Sequence, residues 1–301
     1  MKKLLIIGGT GFVGSHIVKH FQYKQNIVAT GSEFDVRKSD IMLKLINREK
    51  PDNIINLASI TTLKESIKKP NETFDINFGG TRNLLTVLEK TNFTGSFLYV
   101  SSSEVYGLLK QKDLPVNESK LTKPQTPYAV SKIATEALCL QVSQQSKFKI
   151  VVARPFNHIG PGQSDRFSIA DFAKQITKIK LGLMLPILKA GDIDTTRDFS
   201  DVRDIVSAYD RIIEFGNNGE IYNVCSGKEL SIRSIIQLMS QLSDVNVEVV
   251  KDQERFRNSD QRHVCGDNNK LKSETGWFGT FEIKQTLHDI LKDWEFRIKS
   301  N

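Results

Sequence analysis

Hydrophobic residues in the first half of the chain occur as short continuous runs, and helical patterns separate these runs. The runs predict buried strands at residues 4–7, 27–29, 54–57, 97–101 and 150–153. Apolar residues at helical spacing predict helices that end near residue 23, lie around 41–47, and cover about 73–89 and 128–144. Strands that are continuously hydrophobic are buried on both faces, so helices must cover both sides of the sheet. The pattern therefore predicts an α/β fold with a doubly wound parallel sheet.

The pattern becomes less regular after Pro155. Gly160-Pro161-Gly162 and the segment 216–219 interrupt short mixed elements, and an amphipathic helix is predicted near residues 283–294. We expect residues 1–157, joined by part of 198–225, to form the parallel-sheet domain. Residues 158–301 are expected to form mainly a smaller, mixed α/β C-terminal domain.

Charge and composition narrow the class of protein. The 301 residues carry 42 Lys and Arg against 35 Asp and Glu, and these charges are spread along the chain. The net charge of +7 fits anionic small molecules, and without an arginine-rich or aromatic-interleaved tract we expect no nucleic-acid partner. No uncharged apolar run approaches the roughly 20 residues of a membrane span, so no membrane partner is expected either.

The N-terminus and the cysteines indicate a cytoplasmic protein. The start of the chain imitates a signal peptide, but its apolar run ends at Gly8-Gly9 without a cleavage site, which favours a buried strand. Cys139, Cys225 and Cys265 are widely spaced and odd in number. This arrangement suits a reducing compartment and offers no metal-ligand spacing, so no metal is expected.

The first chemical signal is Gly8-Gly9-Thr10-Gly11-Phe12-Val13-Gly14, between the first predicted strand and the first helix. Glycines there permit a tight turn and let backbone N–H groups approach a pyrophosphate, which the helix N-terminus stabilises. The strand–turn–helix context predicts dinucleotide binding. The spacing fits both Gly9-x-Gly11-x-x-Gly14 and Gly8-x-x-Gly11-x-x-Gly14.

The end of the second predicted strand bears on the type of dinucleotide. A carboxylate there would bond the ribose 2′-hydroxyl of NAD and repel the 2′-phosphate of NADP. The position falls near Gly31 and Ser32, with Glu33 and Asp35 just beyond. We therefore favour NADP and keep NAD open. Asp35 and Val36 could hold the adenine edge, or be a solvated acid and a core valine.

The second signal is a tyrosine followed four residues later by a lysine, which places both side chains on one helical face. Tyr106 and Lys110 fall in a predicted loop, whereas Tyr128 and Lys132 open a long helix. A nearby ammonium lowers the pKa of a tyrosine, so Tyr128 is expected to exchange a proton with a substrate oxygen. Ser102, at the carboxyl end of the fourth predicted strand, could bond the same oxygen.

These motifs resemble the extended short-chain dehydrogenase/reductase family that modifies nucleotide sugars. Gly8-x-x-Gly11-x-x-Gly14, Ser102, Tyr128 and Lys132 carry the resemblance. Further similar segments extend it over essentially the whole chain: Asn56-Leu57-Ala58-Ser59, 77–85, Arg154-Pro155-Phe156-Asn157, 197–204 and Gly276-Trp277. The segments 154–163, 222–227 and 266–271 most resemble GDP-4-dehydro-6-deoxy-D-mannose reductases. The implied fold is a Rossmann-type sheet followed by a smaller substrate domain.

The resemblance implies a reduction at C4 of a nucleotide-linked 4-keto-6-deoxy sugar. Lys132 would hold the nicotinamide ribose and tune Tyr128, Tyr128 would protonate the C4 oxygen, and Ser102 would bond it. The implied cofactor contacts are Gly8, Gly11, Phe12, Val13, Gly14, Ser32, Asp35, Val36, Leu57, Ala58, Ser59, Asn77, Tyr128, Lys132 and Pro155. The implied substrate contacts are Ser103, Glu104, Asn157, Arg197, Arg257 and Asp260. Asn258 replaces a proline that relatives carry next to Arg257, so the loop around it departs from the family pattern.

Other functions remain open at this point. Family dehydratases place a glutamate two residues after the catalytic hydroxyl, and Ser102-Ser103-Glu104 is compatible with that arrangement, with Ser103 and Glu104 as further catalytic groups. A 4-epimerase is a third possibility, and a nucleotide-binding regulator without catalysis belongs to a different class. The resemblance also implies a homodimer that packs through the helix from Thr73 and the helix with Tyr128. A GDP-sugar is the favoured substrate partner.

Overall fold

The computed structural model describes residues 1–255 and 261–300. Its strands are β1 (Lys3–Ile7), β2 (Asn26–Ala29), β3 (Asn53–Asn56), β4 (Ser96–Val100), β5 (Lys149–Pro155), β6 (Asn157–Ile159), β7 (Ile187–Ala190), β8 (Thr196–Asp201), β9 (Ile221–Val224), β10 (Glu229–Ser231) and β11 (Glu248–Lys251). Its α-helices are α1 (Phe12–Phe21), α2 (Ser39–Glu49), α3 (Leu63–Lys68), α4 (Pro70–Phe74), α5 (Gly80–Lys90), α6 (Pro127–Ser143), α7 (Ser168–Lys180), α8 (Val202–Phe215), α9 (Ile232–Ser243), α10 (Asn269–Thr275) and α11 (Ile283–Lys299).

The central sheet has the strand order β2-β1-β3-β4-β5-β9, and every adjacent pair is parallel. The chain moves outward from β1 to β2 and then crosses back to β3 on the other side of β1. Open parallel sheets bind ligands beside such a reversal, in the crevice at the carboxyl ends of the strands. The predicted Rossmann-type, doubly wound α/β fold is therefore confirmed.

Alternate residues of the strands face two separate cores. Leu4 and Ile6 pack with α1 and α8 on one face, whereas Leu5 and Ile7 pack with α2 and α5 on the other. Successive strand residues point to opposite faces, so both faces must be apolar when helices cover both. This double burial is the physical origin of the continuous hydrophobic runs in the sequence.

The helix predicted from about residue 73 begins earlier and is interrupted by a π-helical turn. Pro70 opens α4 at a position where its missing N–H costs no hydrogen bond. A π-helical turn over Asp75–Gly79 then joins α4 to α5. π-helical turns disturb the regular backbone pairing of a helix. Here the Asn77 carbonyl accepts hydrogen bonds from Thr81 Oγ1 at 2.9 Å and Thr135 Oγ1 at 3.4 Å.

The C-terminal part of the chain builds a third core. Strand β8 pairs parallel with β6 and antiparallel with β10, and β11 pairs parallel with β7. Apolar residues from α7, α9 and α11 pack together against these strands. Strand β9 returns to the edge of the central sheet beside β5. Within the described ranges, no helix is long and apolar enough to span a membrane.

Candidate active site

The residues predicted to contact the dinucleotide gather along the carboxyl edge of the central sheet. Gly8 follows β1, Ser32 follows β2, Leu57-Ala58-Ser59 follow β3, and Pro155 ends β5. Because all these strands are parallel, their carboxyl ends open onto one crevice. The sheet therefore brings together segments that are up to 147 residues apart, from Gly8 to Pro155.

The glycine loop between β1 and α1 forms a close-fitting turn. Gly8 has φ +79°, and a Cβ atom there would lie 2.9 Å from the backbone nitrogen of Ala58. A Cβ atom at Gly14 would collide with the backbone of Gly9. Gly11 caps α1 without a side-chain hydrogen bond, and the first turn carries no acidic residue. The free N–H groups of this helix end fit a pyrophosphate.

Phe12 and Val13 begin α1 and point to different surroundings. The Phe12 ring lies parallel to the His158 ring, with 6.2 Å between centroids, and therefore links the glycine loop to β6. Val13 packs against the core on the α1 side of the sheet.

At the end of β2, the Glu33 carboxylate lies closer to Gly31 than the sequence suggested. The Gly31 N–H donates to Glu33 Oε1 at 2.7 Å, so the Glu33 side chain folds back into the space that a side chain at position 31 would occupy. Asp35 forms a two-pronged ion pair with Arg37, and this hydrogen bonding lowers the pKa of Asp35 to about 2. Val36 is buried in the core. Sequence reasoning missed Arg37 because it lies beyond the expected position.

Asn77 lies in the π-helical turn and connects the end of β3 to α6. Its side-chain oxygen accepts from the Ile60 N–H at 2.9 Å, and its amide donates to Ser131 Oγ at 2.9 Å. Ser131 stands one residue before Lys132. Asn77 therefore fixes the loop after β3 against the helix that carries the predicted catalytic pair.

Ser102, Tyr128 and Lys132 come together where β4 ends beside the N-terminus of α6. Thr126 caps α6 by accepting from the Ala129 N–H, and Pro127 opens the helix. The Tyr128 hydroxyl is within hydrogen-bonding reach of Ser102. Lys132 Nζ donates to the Val100 carbonyl at 2.8 Å and lies 5.7 Å from the centroid of the Tyr128 ring.

The pKa values of the pair differ from the simple expectation. Burial raises the pKa of Tyr128 to about 12; the hydrogen bond with Ser102 opposes this shift and the Glu104 carboxylate adds to it. Burial lowers the pKa of Lys132 to about 7, and the Glu136 carboxylate opposes that shift. The expected direction for the tyrosine was therefore wrong, because desolvation favours the neutral phenol and is the largest influence on its pKa. Tyr128 is a proton donor at neutral pH.

The second tyrosine–lysine pair is not at the crevice as a unit. Tyr106 ends a short 3₁₀ helix, Ser103–Tyr106, and its buried hydroxyl donates to Asn223 Oδ1 at 2.7 Å. Lys110 lies beyond this helix and caps a separate turn. Tyr106 therefore helps to hold the segment after β4 in place.

Ser103 and Glu104 open the 3₁₀ helix directly after Ser102. The Glu104 N–H donates to Ser102 Oγ at 3.2 Å, so Ser102 caps this helix. The Glu104 side chain is exposed and close enough to Tyr128 to influence its pKa.

The predicted substrate contacts lie on the C-terminal elements. Asn157 is exposed at the start of β6, next to Phe199 of β8. The Arg197 guanidinium donates to the carbonyls of Thr196 at 2.7 Å and Gln261 at 3.1 Å. Arg257 and Asp260 lie outside the described residues. Among those described, no three His, Cys, Asp or Glu side chains form a metal-ligand cluster.

Three buried residues beside the predicted catalytic set had no predicted role of their own: Ser101, Glu136 and Arg154. Arg154 Nη2 donates to Glu136 Oε2 at 2.6 Å, and Arg154 Nε donates to Oε1 at 3.0 Å and to Oε2 at 3.2 Å. Ser101 Oγ donates to the same carboxylate. The available signal was the spacing, because Glu136 stands one helical turn after Lys132 and two after Tyr128.

Known proteins are similar to this chain over most of its length. The family model for GDP-mannose 4,6 dehydratase matches residues 23–290. The chain is 42% identical to GDP-6-deoxy-D-mannose reductase of Pseudomonas aeruginosa, over 99% of both proteins. It is 28% identical to GDP-6-deoxy-D-talose 4-dehydrogenase of Aggregatibacter actinomycetemcomitans, over 97% of both.

A solved structure extends the comparison to three dimensions. RMD from Pseudomonas aeruginosa complexed with NADPH matches with a TM-score of 0.94 at 42% identity, covering 99% of this chain and 100% of that one. The resemblance seen in the sequence is confirmed. The chain belongs to the GDP-mannose 4,6 dehydratase family and is an enzyme of the extended short-chain dehydrogenase/reductase type.

Proposed function

We propose that this enzyme reduces the C4 ketone of GDP-4-keto-6-deoxy-D-mannose to give GDP-D-rhamnose, using NADPH or NADH. The observation that carries the proposal is the meeting of Ser102, Tyr128 and Lys132 beside the glycine loop, in a chain similar over its whole length to a GDP-6-deoxy-D-mannose reductase. D-Rhamnose is 6-deoxy-D-mannose, so that relative's name describes the same sugar.

The residues of this chain supply the proton and the geometry. A reduced dinucleotide held at the glycine loop would supply the hydride for C4. Tyr128 donates its phenolic proton to the C4 oxygen, and together the two transfers convert the ketone to a secondary alcohol. A tyrosine with a pKa of about 12 is fully protonated at neutral pH and is therefore available as the acid. Ser102 donates a hydrogen bond to the same oxygen, and Lys132 holds the nicotinamide ribose.

NADPH is the first candidate cofactor, and NADH is a real competitor. Gly31 and Ser32 leave room at the end of β2, and the similar reductase structure contains NADPH. Glu33 favours NADH, because its carboxylate lies where a ribose 2′-hydroxyl would be bonded and a 2′-phosphate repelled. Arg37 stands close by, although Asp35 holds it in an ion pair.

The sugar nucleotide lies between the sheet edge and the C-terminal elements. Asn157 and Arg197 face it from β6 and β8, and we include Arg257 and Asp260 because they match family positions. A guanidinium pairs well with a diphosphate. In this arrangement residues 1–157, with part of 198–225, bind the dinucleotide, and residues 158–301 mainly bind the substrate.

The working form we propose is a cytoplasmic homodimer. An apolar groove between α4 and α6 is lined by Pro70, Phe74, Pro127 and Val130, and Ile67 nearby is 63% exposed. These are the helices for which dimer packing was expected. The three cysteines are free thiols, which suits a reducing compartment.

A 4,6-dehydratase is the second candidate, because Glu104 is exposed beside Tyr128 and could remove the C5 proton. The family model named for GDP-mannose 4,6 dehydratase also points this way. A 4-epimerase would use the same tyrosine in both directions, and its product would be an isomer of its substrate. A silent regulator would bind the cofactor without any turnover.

One experiment separates these functions. The protein is mixed with NADPH and GDP-4-keto-6-deoxymannose while cofactor absorbance is followed, and GDP-mannose with NADP⁺ is run in parallel. Loss of NADPH with a product two mass units heavier than the ketone supports the reductase, and proton NMR coupling at C4 distinguishes D-rhamnose from 6-deoxy-D-talose. Water loss from GDP-mannose without net cofactor consumption would replace the proposal by the dehydratase.

A further inference from the structure

An almost fully buried ion pair lies directly behind the proposed catalytic residues. Glu136 on α6 is 1% exposed and Arg154 on β5 is 3% exposed. Burying such a pair costs desolvation energy, and hydrophobic residues of similar volume often serve stability as well or better. The stability of the fold is therefore a weak explanation for the Glu136–Arg154 pair.

The pair belongs to a regular pattern of contacts between α6 and the end of β4. Three successive residues of that strand end each meet a different α6 side chain. The Val100 carbonyl accepts from Lys132, Ser101 donates to Glu136, and Ser102 meets Tyr128. The three α6 residues stand four positions apart, so they form one stripe along the helix.

Arg154 extends this pattern to the loop after Ser102. Its NH1 group donates to the Tyr106 hydroxyl at 3.0 Å, at the end of the 3₁₀ helix that begins with Ser103. The main chain beside it is also fixed, because the Ser101 N–H donates to the Ala153 carbonyl at 2.8 Å. One carboxylate therefore connects α6, β4 and β5.

Charged and titratable groups around Lys132 can be assigned to each neighbouring element. Glu136 and the buried thiol of Cys139 lie on α6 itself, and the Tyr99 ring on β4 lies 5.1 Å from Lys132 Nζ. Tyr128 lies on the crevice side, with Glu104 beyond it. Arg154 on β5 forms an ion pair with Glu136. Glu136 is the carboxylate that opposes the desolvation of the ammonium.

We propose that Glu136 is a positioning residue of this active site: held in place by Arg154, it fixes the register of Tyr128 and Lys132 against Ser102, and its carboxylate is the counter-charge of the Lys132 ammonium. This inference rests on the proposed function for its kinetic part only. Two separable effects follow. The hydrogen bond to Ser101 sets geometry, whereas the negative charge sets the protonation of the lysine.

The test follows Lys132 directly, by NMR of protein labelled with ¹³C at the lysine ε-carbon and assigned with Lys132→Met. In cofactor-free Glu136→Gln protein, the titration midpoint of Lys132 should fall by about one pH unit. The alkaline limb of kcat/KM should move to lower pH by the same amount. The double variant Glu136→Gln/Arg154→Met should show a smaller fall in the same direction, because it removes the Arg154 charge as well, and it avoids leaving an unpaired buried guanidinium.

Two further variants separate charge from geometry. Glu136→Asp keeps the charge but shortens the side chain, so the Lys132 midpoint should stay near that of the wild type while kcat falls with little change in KM. Asp204→Asn is the matched control, because Asp204 is also buried and accepts three hydrogen bonds but lies away from the crevice. It should move neither the midpoint nor the alkaline limb.

An unchanged Lys132 midpoint in the folded Gln or double variant would overturn the assigned role of the charge. A kcat equal to that of the wild type in Glu136→Asp would contradict the role of Glu136 in fixing the register of Tyr128 and Lys132. Because the titration is read without cofactor or substrate, it decides the role of the Glu136 charge even in a wild-type protein that fails to reduce the ketosugar. That failure would overturn the proposed function alone.

Discussion

Helix α6 and the junction of β8 with α8 both carry several buried polar side chains, yet these side chains do different work. On α6, Tyr128, Lys132 and Glu136 face the carboxyl end of β4 and leave a hydroxyl and an ammonium beside the crevice. At the β8 junction, Asp198, Asp201 and Asp204 lie in the segment 197–204, which carries part of the family resemblance.

The three aspartates at the β8 junction fasten loops. Asp198 accepts from the N–H groups of Ser226, Gly227 and Gly266 at 2.9 to 3.1 Å. Asp201 caps α8 by accepting from the Arg203 N–H, and it also accepts from Thr286. Asp204 accepts from the loop at Thr280 and Phe281. Their oxygens are satisfied by protein donors inside the fold.

The comparison shows how to distinguish catalytic from structural polar residues. Burial is common to both regions, since Lys132 is 4% exposed and Asp198 is fully buried. What differs is the partner. Burial also raises the pKa of Asp198 and of Asp204, so a shifted pKa does not separate the two regions. Polar groups that bond backbone N–H groups of distant loops hold the fold together, whereas the Tyr128 hydroxyl meets the Ser102 hydroxyl where β4 ends. The following predictions test that distinction.

The largest effect is expected from Tyr128→Phe. Removing the phenolic proton should lower kcat by about a thousandfold, while dinucleotide binding and the thermal unfolding temperature stay close to wild type. Activity assays, cofactor fluorescence titration and thermal unfolding give the three readouts. Tyr23→Phe, at a residue 84% exposed, is the control and should change none of them.

Lys132→Met should lower activity and raise stability. The native pKa of about 7 lies below the ordinary value of 10.5, so the folded protein binds fewer protons than the unfolded protein between these values. The lysine therefore costs stability below about pH 7, and the cost disappears as the pH rises toward 10.5. Methionine should stabilise the cofactor-free protein by up to roughly 4 kcal/mol at low pH.

Denaturant unfolding at several pH values checks this prediction. The difference between the variant and the wild type should shrink steadily from pH 7 to pH 10. A variant that is less stable than the wild type at pH 6.5 would show that the lysine contributes to the fold. Lys90→Met, at an exposed position near the end of α5, controls for loss of a surface charge.

Asp198→Asn should have the opposite profile. The substitution replaces one acceptor oxygen of the carboxylate by an NH2 group, which cannot accept. Buried N–H groups of the bound loops therefore lose a partner, and the free energy of unfolding should fall by about 3 kcal/mol. Activity per folded molecule should change little at temperatures where the variant is folded. Asp194→Asn, an exposed residue paired with Arg233, should cost less than about 1 kcal/mol. A large loss of kcat in folded Asp198→Asn would show that Asp198 is not purely structural.

The smallest effect concerns the choice of dinucleotide. Glu33→Gln removes a carboxylate at the end of β2 and should raise the preference for NADPH over NADH by roughly fivefold, the size of a single exposed charge interaction. Equilibrium binding of both cofactors to the sugar-free protein measures this directly. Asp40→Asn, an exposed acid in the first turn of α2, should leave the ratio unchanged.

The sequence predicted the parts of this molecule that depend on local pattern. The glycine loop, the parallel sheet and the helix with Tyr128 and Lys132 follow from hydrophobic runs, a capping position and a four-residue spacing. The Glu136–Arg154 pair could not be predicted in this way, because it joins α6 to β5 across the sheet. The pKa of Tyr128 was predicted in the wrong direction, since burial is a property of the whole fold.

The ends of the site show the same limit. The position of Glu33 depends on a side chain folding back onto the Gly31 N–H, which no sequence pattern encodes. The π-helical turn that places Asn77 is likewise set by packing between α4, α5 and α6. The roles of Arg257 and Asp260 stay predictions.

In the proposed reaction, Tyr128 protonates the C4 oxygen of a nucleotide-linked ketosugar as a hydride reaches C4. The most direct measurement uses NADPH deuterated at the transferred position of the nicotinamide ring, with GDP-4-keto-6-deoxymannose as substrate and NMR analysis of the product. We expect one deuterium at C4 of GDP-D-rhamnose with the wild-type protein, and formation of this product about a thousandfold more slowly with Tyr128→Phe. A product without deuterium at C4, or equal rates with both proteins, would contradict the proposed reaction.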